Sequence, residues 1–200
     1  MARHGGRILA DALALHGVTR VFSVPGESFL AALDGLYDVG IPNTVCRQEG
    51  GAAMMAEAWG KLTGRPGVCF VTRGPGATNA SIGVHVARQD SVPMIVFIGD
   101  IDRGFRDREG FQEVDLPAMF APLAKWATRI EDAARIPEYL DRAFRVGEAM
   151  EVGMVGLNTG IVSNPAAPFG GIKASGLGRE GGRVGIDEFL ETTYMAMPRG

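Results

Sequence analysis

The stretch GVCFVTRGPGATNASIGVHVARQDSVPMIVFI, from Gly67 to Ile98, contains a helical pattern between two short apolar runs. The runs Gly67–Thr72 and Met94–Ile98 do not alternate between polar and apolar residues, which is typical of strands buried on both faces. Between them, Ala77–Asp90 has helical spacing, and a helix of this kind is the usual connection between two parallel strands. The stretch therefore predicts a strand, helix and strand unit of a parallel sheet.

The same alternation precedes and follows this unit. Before it, we predict in order helix Ile8–Leu15, strand Val21–Val24, helix Phe29–Tyr37, strand Thr44–Cys46 and helix Glu49–Thr63. After it, we predict strand Lys125–Thr128, helix Ile136–Met150, strand Met154–Thr159, a helical turn at Ile186–Leu190 and a strand at Thr192–Met197. The predicted fold class is α/β. It consists of a three-layer parallel sheet with helices on both faces, followed by a glycine-rich C-terminal extension with a terminal strand.

Glycine accounts for 29 of the 200 residues, and its distribution divides the chain. Residues 1–146 contain 17 glycines and residues 147–200 contain 12, which is roughly 12% and 22%. Average proteins contain about 7% glycine. We therefore predict a domain over residues 1–146, and a segment over residues 147–200 that is not an independent domain.

Charge and hydropathy exclude several classes of partner. The net charge is −3 and basic and acidic residues are interleaved, so the chain has no basic patch for nucleic acid. Its longest apolar runs, such as Met94–Gly99, are far shorter than the ~20 residues of a membrane span. Cys46 and Cys69 have no metal-binding or CxxC spacing, and we expect both to be reduced. These features predict a cytoplasmic protein that binds neither nucleic acid nor membrane.

The chemistry of the chain is concentrated where predicted strands end. Loops at Val24–Ser28, Cys46–Gly51 and Thr72–Asn79 combine glycines with polar side chains, and ligands of parallel sheets bind at the carboxyl ends of the strands. Glu49 begins an otherwise apolar helix, where free N–H groups favour a carboxylate. Spacing alone leaves open whether Glu49 is only a first-turn acid and whether the glycines only form turns. The GxGxxG match at Gly176–Gly181 follows no strand and is treated as accidental.

Residues from about Arg7 to Val146 resemble the N-terminal pyrimidine-binding domain of thiamine-diphosphate enzymes, in particular the acetolactate synthase-like group. The resemblance is carried by an ordered set of segments: Val24-Pro25-Gly26, Arg47–Glu57, Thr63–Val68, Thr72-Arg73-Gly74-Pro75-Gly76-Ala77-Thr78-Asn79 and Phe111-Gln112-Glu113. It implies that Glu49 is catalytic and hydrogen-bonds a ring nitrogen of the cofactor's aminopyrimidine. It also implies that Pro25, Gly26, Thr72 and Asn79 line the cofactor site, and that Phe111 and Gln112 face the substrate.

Two departures from that family affect the expected activity. The first loop has Gly26-Glu27 where acetolactate synthases have Gly-Gly, which leaves the 2-keto acid specificity open. The family binds the diphosphate through magnesium at a Gly-Asp-Gly segment and a later asparagine pair, but here Gly99-Asp100 is followed by Ile101. The resemblance therefore implies binding of only the pyrimidine end of thiamine diphosphate. No metal ligand is expected in this chain, and Mg²⁺ is expected only if a partner supplies the diphosphate site.

The end of the chain resembles a different family. Segments Gly153–Gly160 and Ala167–Gly181, the latter with Pro168-Phe169-Gly170-Gly171, are similar to the carboxy terminus of aldehyde dehydrogenases of the succinate-semialdehyde type. This second resemblance covers about Phe144 to Met197. The chain thus resembles the start of one enzyme joined to the end of another near residues 143–147.

Three functions follow from these observations. The first is the pyrimidine half of an acetolactate synthase-like 2-ketoacid decarboxylase and carboligase, incomplete and inactive as an isolated chain. Its partners would be further copies of itself or a separate diphosphate-binding subunit. The second is a non-catalytic binding or oligomerisation protein. The third is a truncated relative of aldehyde dehydrogenase that lacks the nucleophile and the NAD domain.

Overall fold

The computed structural model describes residues 3–148 of the chain. Four strands form one parallel sheet, namely β1 (Val21–Ser23), β2 (Asn43–Val45), β3 (Gly67–Thr72) and β4 (Met94–Gly99). Their order in the sheet is β2-β1-β3-β4, and every neighbouring pair is parallel. The pairing of β3 with β4 runs over six residues, from Gly67 opposite Met94 to Thr72 opposite Gly99.

Six α-helices accompany the sheet: α1 (Gly5–Leu15), α2 (Leu30–Val39), α3 (Glu49–Thr63), α4 (Arg73–Gln89), α5 (Leu116–Phe120) and α6 (Ile136–Glu148). Short 3₁₀ turns lie at Glu27–Phe29, Arg103–Phe105 and Ala133–Arg135. Within residues 3–148, none of these helices is both long and apolar enough to cross a membrane.

The two faces of the sheet are covered by different helices. Val68 and Phe70 of β3 pack in a core with residues of α1, α2 and α6. The intervening Cys69 and Val71 pack on the opposite face with alanines of α3 and α4. This alternation follows from the period of two along a strand. The predicted three-layer α/β fold is confirmed for the described residues.

The small residues of α3 explain its close packing. Ala52, Ala53 and Ala56 are completely buried and lie in the same core cluster as Phe22 and Val71 of the sheet. Alanine favours a helix and adds little bulk, so the helix backbone can lie near both the sheet and α4. This packing positions the first residue of α3, Glu49, near the carboxyl ends of the strands.

One predicted strand does not form, and the predicted start of one helix differs clearly from the structure. Lys125–Thr128 forms no strand, because Trp126 packs against α6 instead: its ring stacks on Tyr139 at 6.0 Å, and the Arg142 guanidinium lies 4.5 Å from its centroid. Helix α4 begins at Arg73 rather than Ala77. Its first turn includes Pro75, whose missing N–H has no helical partner at that position in any case.

Other predictions concern residues that the structure does not describe. The last two residues of the predicted helix Ile136–Met150, the strands Met154–Thr159 and Thr192–Met197, the turn Ile186–Leu190 and the glycine-rich extension all lie outside residues 3–148. They stay predictions, as does the division into residues 1–146 and 147–200.

Candidate functional site

The strand order creates a crevice between β1 and β3. From β1 the chain passes to β2 on one side, and then returns to place β3 on the other side of β1. At such a point the loops from neighbouring strand ends turn in opposite directions, and ligands of open α/β sheets bind there. The loop after β1 begins at Val24, and the segment after β3 begins at Arg73. These are two of the three loops that the sequence singled out.

The two loops touch each other at Gly26 and Thr72. A Cβ on Gly26 would lie 2.5 Å from the Cβ of Thr72, so only glycine permits this close approach. Beside this contact, the hydroxyls of Ser28 and Thr72 form a hydrogen bond of 2.6 Å. Ser28 lies within the loop singled out in the sequence, where no pattern indicated a role for it. Pro25, which precedes the contact, is exposed.

Glu49 links α3 to α4 rather than capping its own helix. The side-chain oxygen of Gln48 accepts the free N–H of Gly51 at 2.9 Å and thereby caps α3. The Oε2 atom of Glu49 accepts a hydrogen bond of 2.9 Å from the Nδ2 of Asn79 on α4. Oε1 lies 3.6 Å from where a Cβ on Gly76 would be, and it carries none of the hydrogen bonds found among residues 3–148. One carboxylate oxygen is thus held, and the other faces a surface without a side chain.

A close approach of α3 and α4 makes this link geometrically feasible. A Cβ on Gly83 would lie 2.5 Å from the Cβ of Ala53 and 2.7 Å from its carbonyl carbon. Gly83 is one helical turn after Asn79, and Ala53 is one turn after Glu49, so the two pairs lie on the same helix faces. The absence of a side chain at Gly83 therefore brings Asn79 within reach of Glu49.

The segment containing Phe111 and Gln112 lies over the beginning of α4. The carbonyl oxygen of Gln112 accepts a hydrogen bond of 3.0 Å from the N–H of Gly74. Gln112 has a left-handed φ of +62°, which directs its backbone toward α4. The Phe111 ring is 71% exposed. The structure thus brings both residues to the same end of the sheet as Thr72.

Arg73 and Glu27 form an ion pair that sequence reasoning did not anticipate. The Nη1 of Arg73 donates to Oε1 of Glu27 at 2.6 Å, and the two residues are 46 positions apart. Arg73 follows β3 directly with a left-handed φ of +42°, and its guanidinium carbon lies 5.5 Å from the centre of the Phe111 ring. Two sequence features could have indicated this pair: a charged residue, Arg73, directly follows a predicted strand, and Glu27 stands where acetolactate synthases have the second glycine of Gly-Gly.

Comparison with known proteins identifies the family. Residues 3–119 match the model of the thiamine pyrophosphate enzyme N-terminal TPP binding domain. The chain belongs to this family. Thiamine pyrophosphate is the same compound as thiamine diphosphate. The expected resemblance is therefore confirmed over the part of the chain that contains Glu49, Asn79 and Gln112.

Curated relatives of this TPP binding domain include acetolactate synthases. The chain is 39% identical to acetolactate synthase of Bacillus subtilis (strain 168), over 74% of the chain and 26% of the relative. It is 36% identical to the large subunit of acetolactate synthase isozyme 2 of Escherichia coli (strain K12), over 72% of the chain and 26% of that protein. It is 34% identical to the catabolic acetolactate synthase of Raoultella terrigena, over 82% of the chain and 30% of that protein. The chain spans about a quarter of the length of these relatives.

A second family model matches the end of the chain. Residues 136–195 match the aldehyde dehydrogenase family, so this second resemblance is also confirmed and begins earlier than Phe144. The Bacillus match covers 74% of the chain. A match of that length includes most of α6, whichever residue it starts from. Helix α6 thus lies in both matches. Its Leu140 and Phe144 are buried in the core of the TPP binding domain, and Phe144 stacks on His16 at 4.3 Å.

The cysteines of the TPP binding domain are free and poorly nucleophilic. Burial raises the pKa of Cys69 to about 12 and also raises the pKa of the half-buried Cys46. Both thiols therefore stay protonated near neutral pH. Neither thiol is paired in a disulfide in the structure, and the raised pKa values disfavour a thiolate at either position.

Neither a metal cluster nor the main cavity coincides with Glu49. Within the described part of the chain, no group of three His, Cys, Asp or Glu side chains is placed to hold a metal ion. The expectation that this chain itself binds no metal stays a prediction. A mostly apolar cavity of about 620 Å³ lies beside β4 and α6, lined by Phe97, Trp126 and Leu140 among others, and contains neither Glu49 nor Asn79. The candidate site is thus separate from this cavity.

Proposed function

We propose that the TPP binding domain of this chain holds the aminopyrimidine end of thiamine diphosphate at Glu49. The observation that carries the proposal is the geometry of this carboxylate. Asn79 holds Oε2 at 2.9 Å, while Oε1 faces Gly76 at the crevice between β1 and β3. An acceptor with one oxygen fixed and the other open is suited to an N–H or a protonated nitrogen of a ligand ring.

The surroundings of Glu49 fit a flat heteroaromatic ring. Gly26 allows its loop to contact Thr72, Gly76 presents no side chain toward Glu49, and the exposed Pro25 lies beside them. A ring of this kind needs close backbone approach on its faces and polar groups at its edge. These features support cofactor-binding roles for Pro25, Gly26, Glu49, Thr72 and Asn79.

Glu49 has a chemical role in this proposal. When bound, thiamine diphosphate supplies a carbon nucleophile for decarboxylation and carboligation of 2-keto acids. The carboxylate of Glu49 accepts a hydrogen bond from the pyrimidine ring nitrogen and stabilises positive charge there. Asn79 orients that carboxylate, and Phe111 and Gln112 face the substrate. Glu49 is the catalytic residue in this assignment.

We further propose that the complete activity is that of an acetolactate synthase-like 2-ketoacid decarboxylase and carboligase, and that this chain alone does not turn over. The matched region makes up about a quarter of the curated relatives' length, and a Gly-Asp-Gly segment for the magnesium diphosphate is absent from these 200 residues. The diphosphate and Mg²⁺ would then bind outside these 200 residues, for example on a separate diphosphate-binding subunit. The alternative partner is a further copy of the same chain, which would form a homo-oligomer. The expected location is the cytoplasm, with neither nucleic acid nor membrane as a partner.

Calorimetry on the full chain tests the cofactor site. Thiamine is the direct probe, because it carries the aminopyrimidine without the diphosphate; thiamine diphosphate with Mg²⁺ is the second ligand. Glu49→Gln keeps the size of the side chain and removes its charge. Loss of a charge-assisted hydrogen bond costs about 1.5–3 kcal/mol, so we expect thiamine affinity to fall at least tenfold.

The matched control is Asp34→Asn, which removes one carboxylate charge on the exposed surface of α2. It should leave thiamine binding within twofold of the unmodified chain. Absent binding, or binding that Glu49→Gln does not change, would contradict the cofactor site. That result would favour a non-catalytic binding or oligomerisation protein.

A further inference from the structure

Arg73 places a largely buried guanidinium at the candidate site. Its side chain is only 15% exposed, and it is the residue that follows Thr72. Its partner Glu27 follows Gly26 and is 66% exposed. Because Gly26 and Thr72 touch each other at the end of the sheet, the ion pair lies next to the crevice that contains Glu49.

The guanidinium of Arg73 leaves one of its two-donor edges unused. Only Nη1 donates to Glu27, at 2.6 Å. The Nε atom is buried and has no hydrogen-bond partner, and Nη2 has none among residues 3–148. A buried donor without an acceptor costs about 1–3 kcal/mol. The Nε and Nη2 edge therefore has no acceptor in this structure, and an anion can reach the buried Nε only when a neighbouring side chain moves.

Another arginine of the same chain shows what this edge can hold. In Arg135, Nε donates to Oε2 of Glu138 at 3.0 Å and Nη2 donates to Oε1 at 2.7 Å. This is the paired geometry in which a guanidinium recognises a carboxylate. The edge that binds a carboxylate in Arg135 is the edge that is free in Arg73.

We propose that Arg73 binds the carboxylate of a 2-keto acid through its Nε and Nη2 atoms, and that Glu27 weakens this binding by neutralising the guanidinium from the Nη1 side. Phe111 lies over the guanidinium at 5.5 Å and is mostly exposed, so its ring can move aside with little loss of buried surface. Glu27 and Arg73 thereby become specificity-determining residues. The assignment of the ligand as a 2-keto acid rests on the proposed function.

Ligand-observed NMR on the full chain tests this inference with pyruvate and without thiamine. Saturation transfer to the pyruvate methyl group gives the affinity, and the Nε–H resonance of Arg73, assigned by its loss in Arg73→Gln, reports the contact. We expect pyruvate to shift this resonance and Arg73→Gln to weaken binding at least tenfold. Pyruvamide, which lacks the negative charge, should bind at least tenfold more weakly than pyruvate.

The Glu27→Gln variant separates the roles of the two residues. Glutamine keeps an oxygen that can accept from Nη1 and removes the competing charge, so we expect pyruvate to bind about 3–10-fold more tightly. The matched control is Arg106→Gln: the Nε of Arg106 is also buried without a partner, but its Nη1 and Nη2 both donate to Glu131, at 2.8 and 3.2 Å, so it has no free two-donor edge. It should leave pyruvate affinity unchanged. Far-ultraviolet circular dichroism checks that each variant is folded.

The outcomes distinguish this inference from the proposed function. No pyruvate binding, equal binding of pyruvamide, or unchanged affinity in Arg73→Gln would overturn the role of Arg73. Unchanged or weaker binding in Glu27→Gln would overturn the role of Glu27. If thiamine binds and depends on Glu49 while pyruvate fails these tests, the proposed function stands without this inference. If pyruvate passes these tests while thiamine does not bind or does not depend on Glu49, the proposed cofactor site is wrong.

Discussion

The contact between α3 and α4 predicts that Gly83→Ala destabilises the protein, although alanine favours helices. The new Cβ would lie 2.5 Å from the Cβ of Ala53 and 2.7 Å from its carbonyl carbon. Ordinary carbon contacts are about 3.5–4.0 Å, so the helices must separate by about 1 Å. Overpacking of this kind costs about 1–3 kcal/mol. The helix propensity gained by replacing glycine is at most about 1 kcal/mol.

Because the clash involves the Ala53 backbone as well as its Cβ, the cost should lie in the upper half of that range. The expected net effect of Gly83→Ala is then a loss of about 1–2 kcal/mol in the free energy of unfolding, measured by urea denaturation. The same substitution at Gly51 is the matched control, because a Cβ there would have no neighbour within 4 Å. We expect Gly51→Ala to stabilise the protein by up to about 1 kcal/mol. In the Gly83→Ala background, Ala53→Gly removes the nearest contact and should recover part of the loss.

The separation of the helices should also reach the candidate site. Asn79 is one turn from Gly83, and its 2.9 Å hydrogen bond to Glu49 depends on the same close approach. Thiamine affinity should therefore fall in Gly83→Ala and stay within twofold in Gly51→Ala. If Gly83→Ala proves as stable as the unmodified chain, the close approach of α3 and α4 is not a constraint, and the explanation for the position of Asn79 fails.

Two further predictions concern titratable groups. Because burial raises the pKa of Cys69 to about 12, we expect a thiol reagent at pH 8 to leave Cys69 unmodified in the folded protein and to modify it after urea unfolding; rapid native modification would show that it is accessible. Hydrogen bonds from the N–H groups of Asp107 and Gly110 lower the pKa of Glu113. The stability that this gives is present above the ordinary pKa of glutamate and is lost as the pH falls through the lowered value. Glu113→Gln should therefore make the unfolding midpoint depend less on pH in the acidic range. An acid profile identical to that of the unmodified chain would contradict this role.

Much of the fold was predictable because it depends on local patterns. Helix α3 was predicted with its observed bounds, and strand β3 likewise, because a period of 3.6 or an uninterrupted apolar run is visible within a few residues. The start of α4 was wrong because Gly74 and Pro75 resemble a loop in sequence. Lys125–Thr128 was wrong because the packing of Trp126 on α6 decides its conformation, and that contact is not local.

The candidate site was predictable only in part. A carboxylate at the start of an apolar helix indicated Glu49, but spacing could not separate a ligand-binding acid from a helix cap. The tertiary structure shows that Gln48 caps the helix and that Asn79, 30 residues away, holds Glu49. The pairing of Glu27 with Arg73 across 46 residues was likewise invisible to local patterns.

By itself, the sequence determined most of the elements, the α/β class, the family and the loops in which polar side chains follow strands. The strand order β2-β1-β3-β4, the meeting of Gly26 with Thr72 and the free edge of Arg73 were decided only by the tertiary structure. The physical reason is the distance along the chain over which each kind of interaction acts. Side-chain periodicity specifies which face of each element is buried, whereas strand order decides which distant loops meet at the carboxyl ends of the strands.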